Sequence, residues 1–192
     1  MTKARKVNGQ KIILDLCGGT GAWSRPYKDA GYDVRLITLP EWDVADYTPH
    51  EPIHGILAAP PCTEFSLAKN DKPRDFNKGM IAVQHCLRII WTARKYNDLK
   101  WWALENPRCF LRQFIGKPAF TFEQWQFGDN GIKPTDLWGY FKEPHHSKLE
   151  RPGGMTTKYP NGRHNAKGWS KSAEKRAITP PGFAKAFFEA NP

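Results

Sequence analysis

The short run Lys11-Ile12-Ile13-Leu14-Asp15-Leu16 carries apolar residues up to a single acid, then passes at once into Cys17-Gly18-Gly19-Thr20-Gly21. An apolar run of that length, broken by glycines and followed by helix-compatible residues from 22 to 30, predicts a buried strand, a tight turn and a helix. That unit belongs to sheets whose strands alternate with helices, and it narrows the architecture before anything else is read. In open α/β sheets ligands sit beyond the carboxyl ends of the strands, where glycines in the first turn let them approach the backbone. The dinucleotide fingerprint is incomplete, because Ser24 stands where the third glycine of Gly19-x-Gly21-x-x-Gly belongs. A nucleotide-like cofactor is therefore expected, with NAD the weaker inference.

Residues 32–39 read as a second strand and residues 54–59 as another, ended by Pro60-Pro61. Between residues 77 and 96, Met80, Val83, Leu87 and Ile90 recur at three and four, the core-facing stripe of a helix. Trp101-Trp102-Ala103-Leu104 forms a further buried strand, stopped by Glu105-Asn106-Pro107. The β-rich runs 119–127 and 135–141 flank Gly128-Asp129-Asn130-Gly131, which suits an antiparallel hairpin. The expected fold class is α/β, a mostly parallel sheet with an antiparallel C-terminal hairpin at its edge.

A chain of 192 residues buries a core without disulfides or a structural metal, and it is read as one globular unit. The polar, basic residues 1–10 and the brevity of the run 12–16 predict neither a secretory signal nor a transmembrane span. Cys17, Cys62, Cys86 and Cys109 show no CxxC spacing, so free thiols in a reducing cytoplasm are expected. A net charge of +10 favours polyanionic partners through phosphate neutralisation, and the eight tryptophans serve either as core or as platforms for bases. Residues 142–176 hold nine Lys or Arg against three Glu among Pro, Gly, Ser and His, a solvated basic loop. Phe183, Ala184, Phe187 and Phe188 then outline a short amphipathic helix within residues 177–192.

Two further segments carry chemistry. Ala59-Pro60-Pro61-Cys62-Thr63-Glu64-Phe65-Ser66 puts a cysteine just after a strand, and Leu104-Glu105-Asn106-Pro107 delivers a carboxyl group to the same sheet edge. With Asp15-Leu16-Cys17-Gly18-Gly19-Thr20-Gly21 before them, these motifs stand in the order of the cytosine-5 DNA methyltransferase family, which the chain resembles over residues 12–141, especially its short phage-type members. The resemblance implies a Rossmann-like class I S-adenosylmethionine-dependent methyltransferase fold. It makes residues 1–141 the catalytic domain, residues 142–176 a reduced DNA-contacting segment and residues 177–192 a helix packing back on the catalytic domain.

Carbon 5 of cytosine is a poor nucleophile, and adding a thiolate at carbon 6 turns the ring into an enamine that can attack a methyl donor. Cys62 matches the family's thiolate. Glu105 matches the acid that bonds N3, and burial would help it retain its proton. The target base must leave the duplex, so base flipping of double-stranded DNA is implied. The resemblance places S-adenosylmethionine over Asp15 to Gly21, with Asp43-Val44 at the adenine and Pro60 beside it. Glu41 is the candidate for the ribose hydroxyls, because Thr38 and Leu39 occupy the strand end where the family carries that acid.

Lys133-Pro134-Thr135 stands where the family has Gln-x-Arg-x-Arg, so Lys133 and Thr135 are assigned to the cytosine ring and its phosphate, with Pro61, Ser66 and Asn106 around the substrate. Lys148, Arg151, Lys158 and Arg163 are assigned to phosphates, giving affinity with little base readout and hence a short or degenerate recognition sequence. His145, His146 and Cys109 fit no common zinc spacing, and no metal is expected. The same chemistry on RNA or a free cytosine nucleotide remains an alternative, as does a catalytically silent DNA-binding protein. A restriction-modification enzyme and an unpaired phage modifier would share these motifs.

Overall fold

A computed structural model of the chain describes residues 8–69, 72–129, 131–150 and 177–192, with the backbone of 156–158 and 164–166. Strands β1 (Ile12–Leu16), β2 (Asp33–Ile37), β3 (Gly55–Ala58), β4 (Trp101–Pro107), β5 (Phe120–Glu123) and β6 (Pro134–Tyr140) form one mixed sheet in the order β2-β1-β3-β4-β6-β5. Parallel pairing joins β1 to β2, β1 to β3 and β3 to β4, whereas β6 runs antiparallel to both β4 and β5. The hairpin is present, yet its second strand lies inside the sheet and β5 forms the edge. Only β6 is reversed. Strands β7 (Thr156–Lys158) and β8 (His164–Ala166) make a separate antiparallel pair.

The helices are α1 (Arg25–Asp29), α2 (Phe76–Ala93), α3 (Arg112–Ile115) and α4 (Pro181–Ala190). Strand side chains alternate between faces, which divides the core in two. On one face Leu14, Ile56 and Leu104 pack against Val83, Cys86, Ile89 and Ile90 of α2. On the other, Ile13, Leu57 and Ala103 pack with Trp23 and Tyr27 beside Phe183 and Phe187 of α4. The Phe122 and Phe183 rings stack with centroids 4.1 Å apart. Tyr27 Oη donates to the Asn191 carbonyl, 164 residues away.

Two local expectations change. β4 continues through Glu105-Asn106-Pro107 because β6 supplies partners there, pairing Glu105 with Leu137 and Asn106 with Asp136. Residues 124–127 leave the sheet as a 3-10 turn, held by a capping box in which the Glu123 and Gln126 side chains each reach the other's backbone.

Candidate active site

β1 connects to β2 on one side, while β3 pairs on its other side, so the sheet order reverses between β1 and β3. The carboxyl ends of these strands therefore border the crevice in which open α/β sheets hold ligands. The turn after β1 bends through positive φ at Cys17, Gly19 and Gly21. Cys17 N–H donates to Ile37 O at 2.8 Å and Gly19 N–H to Thr38 Oγ1 at 3.3 Å. Thr38, where an acid was anticipated by family pattern, thus ties the glycine turn to β2.

Asp15 is fully buried beneath this turn; Ser24 Oγ donates to its Oδ2 at 2.5 Å, and Oδ1 has no partner among the described residues. A Cβ on Gly18 would overlap the Asp15 carboxyl, whereas one on Gly19 would meet nothing within 4 Å. Glycine at 18 is thus required by close approach, and the turn is open at 19. Burial pushes the Asp15 carboxyl up to about 6, partly offset by the Ser24 hydroxyl. Because its proton is held more tightly in the fold than in the open chain, the stabilisation is complete below the ordinary carboxylate range. It is lost as pH rises through about 6. Comparing wild type with Asp15→Asn by denaturant unfolding, the variant's stability relative to wild type should improve by about 2 kcal/mol between pH 4 and 8. Parallel pH profiles would show that the Asp15 carboxyl ionises as readily in the fold as in the open chain.

Cys17 packs against the α2 face, beside the buried free thiol of Cys86. The neighbouring thiols pull the Cys17 pKa down and push that of Cys86 up, and burial of Cys86 adds to its rise. The negative charge of Asp43 also bears on Cys17, which brings the segment after β2 close to the turn. Leu16 and Val44 are buried in the core, while Thr20, Glu41 and Asp43 are exposed. Asp43 Oδ1 accepts from Ala45 N, and Arg88 of α2 donates to the carbonyls of Val44, Ala45 and Tyr47 at 2.9–3.1 Å. One guanidinium therefore fixes the whole bend.

After β3, Pro60 is buried, Pro61 exposed and Cys62 half-buried. The Cys62 carbonyl accepts from Phe65 N at 3.0 Å and Ser66 N at 2.8 Å, so the chain folds back immediately after the cysteine. Ser66 Oγ accepts from Ala68 N at 3.1 Å, which starts a 3-10 turn. Asn106 is fully buried on the face opposite Glu105; its amide donates to Pro60 O at 3.1 Å. Its position joins the β3 and β4 ends, and strand alternation turns it away from Glu105.

Glu105 is part-buried with its carboxyl 3.7 Å from Lys133 Nζ, so the acid faces an ammonium and not an apolar pocket. Both line a shallow cleft, open to solvent, together with Thr135, Gln124, Phe122 and Phe183. Ala177, Ile178, Thr179 and Pro180 complete its wall. Thr135 is buried, its hydroxyl donating to the Lys133 carbonyl at 3.2 Å. The cleft thus gathers Glu105, Lys133 and Thr135 as expected from sequence; Cys62, on the neighbouring loop, does not line it. Gln124 and residues 177–180 are additions that sequence reading missed, since no local signal announces that they meet Glu105. Behind the cleft, Arg112 of α3 makes paired bonds of 2.5 Å to the fully buried Asp136, which also accepts from Thr121 Oγ1 at 2.7 Å.

Lys148 is exposed, with its backbone N–H donating to Gln126 O at 3.0 Å. Arg151 and Arg163 lie outside the described residues, and Lys158 is described only as backbone in β7. His146, expected in a solvated loop, packs beside the rings of Phe120 and Phe127 because residues 147 and 148 are hydrogen-bonded to Gln126. Among the described residues no group of three or more His, Cys, Asp and Glu could hold a metal ion, and no helix is long and apolar enough to cross a membrane. The chain matches no protein-family model and no curated protein.

Proposed function

We propose that the chain is an S-adenosylmethionine-dependent methyltransferase acting on carbon 5 of cytosine in DNA. The observation that carries this reading is the convergence of three segments, Asp15 to Gly21, Pro60 to Ser66 and Glu105 to Pro107, on the carboxyl edge of β1, β3 and β4. The strand order with its single reversed strand supports a Rossmann-like methyltransferase fold. The charge of +10 supports a nucleic-acid partner.

The residues present fit the cofactor. The unpartnered Asp15 Oδ1 and the open space at Gly19 suit its polar amino-acid end, and the exposed Asp43 and Glu41 suit nucleoside amino and hydroxyl groups. When bound, S-adenosylmethionine supplies a methyl group activated by a positive sulfur. Cys62 as thiolate bonds carbon 6 of the flipped base and moves electron density to carbon 5. Glu105 bonds N3 and shares a proton with it while the ring carries the added electrons. Lys133, beside Glu105, offers positive charge to the base oxygen or the adjoining phosphate. With the methyl group on carbon 5, the carbon 5 proton would pass to solvent water, the carbon–sulfur bond would break, the Cys62 thiolate would be restored and the N3 proton would return to Glu105.

Incubation with methyl-labelled S-adenosylmethionine and, separately, DNA, RNA or dCMP tests the reading. Label in 5-methylcytosine recovered from DNA is expected. Label from RNA or dCMP alone would change the substrate, and no label in any arm would remove the methyltransferase reading.

A further inference from the structure

The loop that carries Cys62 is gripped from one side by the start of α2. Arg74 Nη1 donates to the carbonyls of Glu64 at 2.8 Å and Ser66 at 2.9 Å, and its guanidinium lies over the Phe110 ring, 4.7 Å from the centroid. The Glu64 carboxylate accepts from Asp75 N at 2.7 Å and pairs with Lys69. Asp75 is also the N-cap of α2, its side chain accepting from Lys78 N at 2.9 Å. Loop and helix start are therefore one hydrogen-bonded unit.

Gly79 makes the contact possible. It sits inside α2, where glycine costs about 1 kcal/mol relative to alanine. A Cβ there would meet Glu64 Cβ at 2.8 Å and the Phe65 ring at 3.0 Å. Glycine thus lets residues 64 and 65 lie directly on the helix, and Arg74 holds them there. The same residues 65 and 66 close the turn on the Cys62 carbonyl.

We infer that Arg74 and Gly79 are positioning residues for Cys62, setting the direction and accessibility of its thiol through the backbone of residues 64–66. The inference rests on the proposed function for its catalytic consequence, but the thiol's accessibility can be measured without cofactor or DNA. Arg74→Lys keeps a charge and stem without the planar guanidinium that lies over Phe110 while its Nη1 reaches both carbonyls, so it should act like a milder Arg74→Ala.

The test compares wild type, Arg74→Ala, Arg74→Lys and Gly79→Ala, each shown folded by its melting transition. It reads the alkylation rate of Cys62 by iodoacetamide, peptide-resolved by mass spectrometry, beside kcat and the KM for S-adenosylmethionine. Loosening the loop should raise alkylation of the half-buried thiol on the order of tenfold while lowering kcat on the order of tenfold to a hundredfold, the scale of a displaced reacting group. The KM should stay near wild type, since the glycine turn is not in this unit. A general loss of structure would not move alkylation and kcat in opposite directions at constant KM. Alkylation and kcat near wild type in folded Arg74→Ala and Gly79→Ala would overturn the inference. Should wild type transfer no methyl group, the proposed function fails, and the alkylation rates alone decide the role of Arg74 and Gly79.

Discussion

Cys62→Ala is expected to bind S-adenosylmethionine as wild type does and to lose methyl transfer by on the order of a thousandfold or more, since removing a nucleophile removes the covalent route itself. The separation of effects follows from the fold. The glycine turn after β1, proposed for the cofactor, is held by Ile37 and Thr38 of the β2 end, whereas Cys62 lies on the loop after β3. Wild type should also form an adduct with DNA containing 5-fluorocytosine that survives denaturation, because fluorine at carbon 5 blocks the proton loss that frees the thiolate. The variant should form none. Calorimetry for the cofactor and a denaturing gel for the adduct read the two halves separately. Undiminished turnover in Cys62→Ala would end the covalent mechanism.

Asp136→Ala should be the most destabilising of the changes considered, lowering stability by about 3 kcal/mol and the melting temperature by on the order of 10 °C. Asp136 is fully buried, and its removal strands both the Arg112 guanidinium and the Thr121 hydroxyl that now share its carboxylate. Asp136 is the buried member, whereas the Arg112 side chain is about a third exposed and stays partly hydrated, so the cost comes from the unpartnered hydroxyl and the vacated carboxylate site as well as from the guanidinium. The bonds from Asp136 also fix β6 against α3 and β5, so the neighbouring Thr135 and Lys133 should lose their register beside Glu105. Thermal unfolding followed by circular dichroism checks this. A drop of only about 1 kcal/mol, the scale of an exposed ion pair, would show that Arg112 finds solvent instead.

Much of the scaffold was legible because its signals are local. The run Ile12 to Leu16 with its glycine turn, the proline stop after β3 and the apolar stripe of α2 each announce themselves within a few residues. The assembly of Glu105 with Lys133 and Thr135 was legible only through family resemblance. What stayed hidden depends on distant pairing. Nothing near Trp138 says that β6 enters between β4 and β5, and that insertion is what carries β4 onward through Pro107. The aromatic residues of Gln124–Phe127 have strand preferences, but the Glu123 and Gln126 capping box turns them out of the sheet. Gly79 carries no local signal of its role, which depends on Glu64 and Phe65 lying against the helix.

The last helix has a consequence for how the chain reaches and keeps this shape. Phe183 of α4 stacks on Phe122 and also lines the cleft beside Glu105, and the helix end is tied back to Tyr27 across 164 residues. Closing so long a loop costs little more than closing one half its length, yet such non-local contacts form slowly. The aromatic face formed by Trp23, Tyr27 and Phe122 stays open to water until α4 docks, so an incompletely folded chain presents a sticky surface at the place where its cleft will be. In the native protein the same helix can open as a local unit without unravelling the parallel strands. The wall beside Glu105 therefore rests on contacts made across the whole chain, whereas the glycine turn rests on parallel strands β2, β1 and β3.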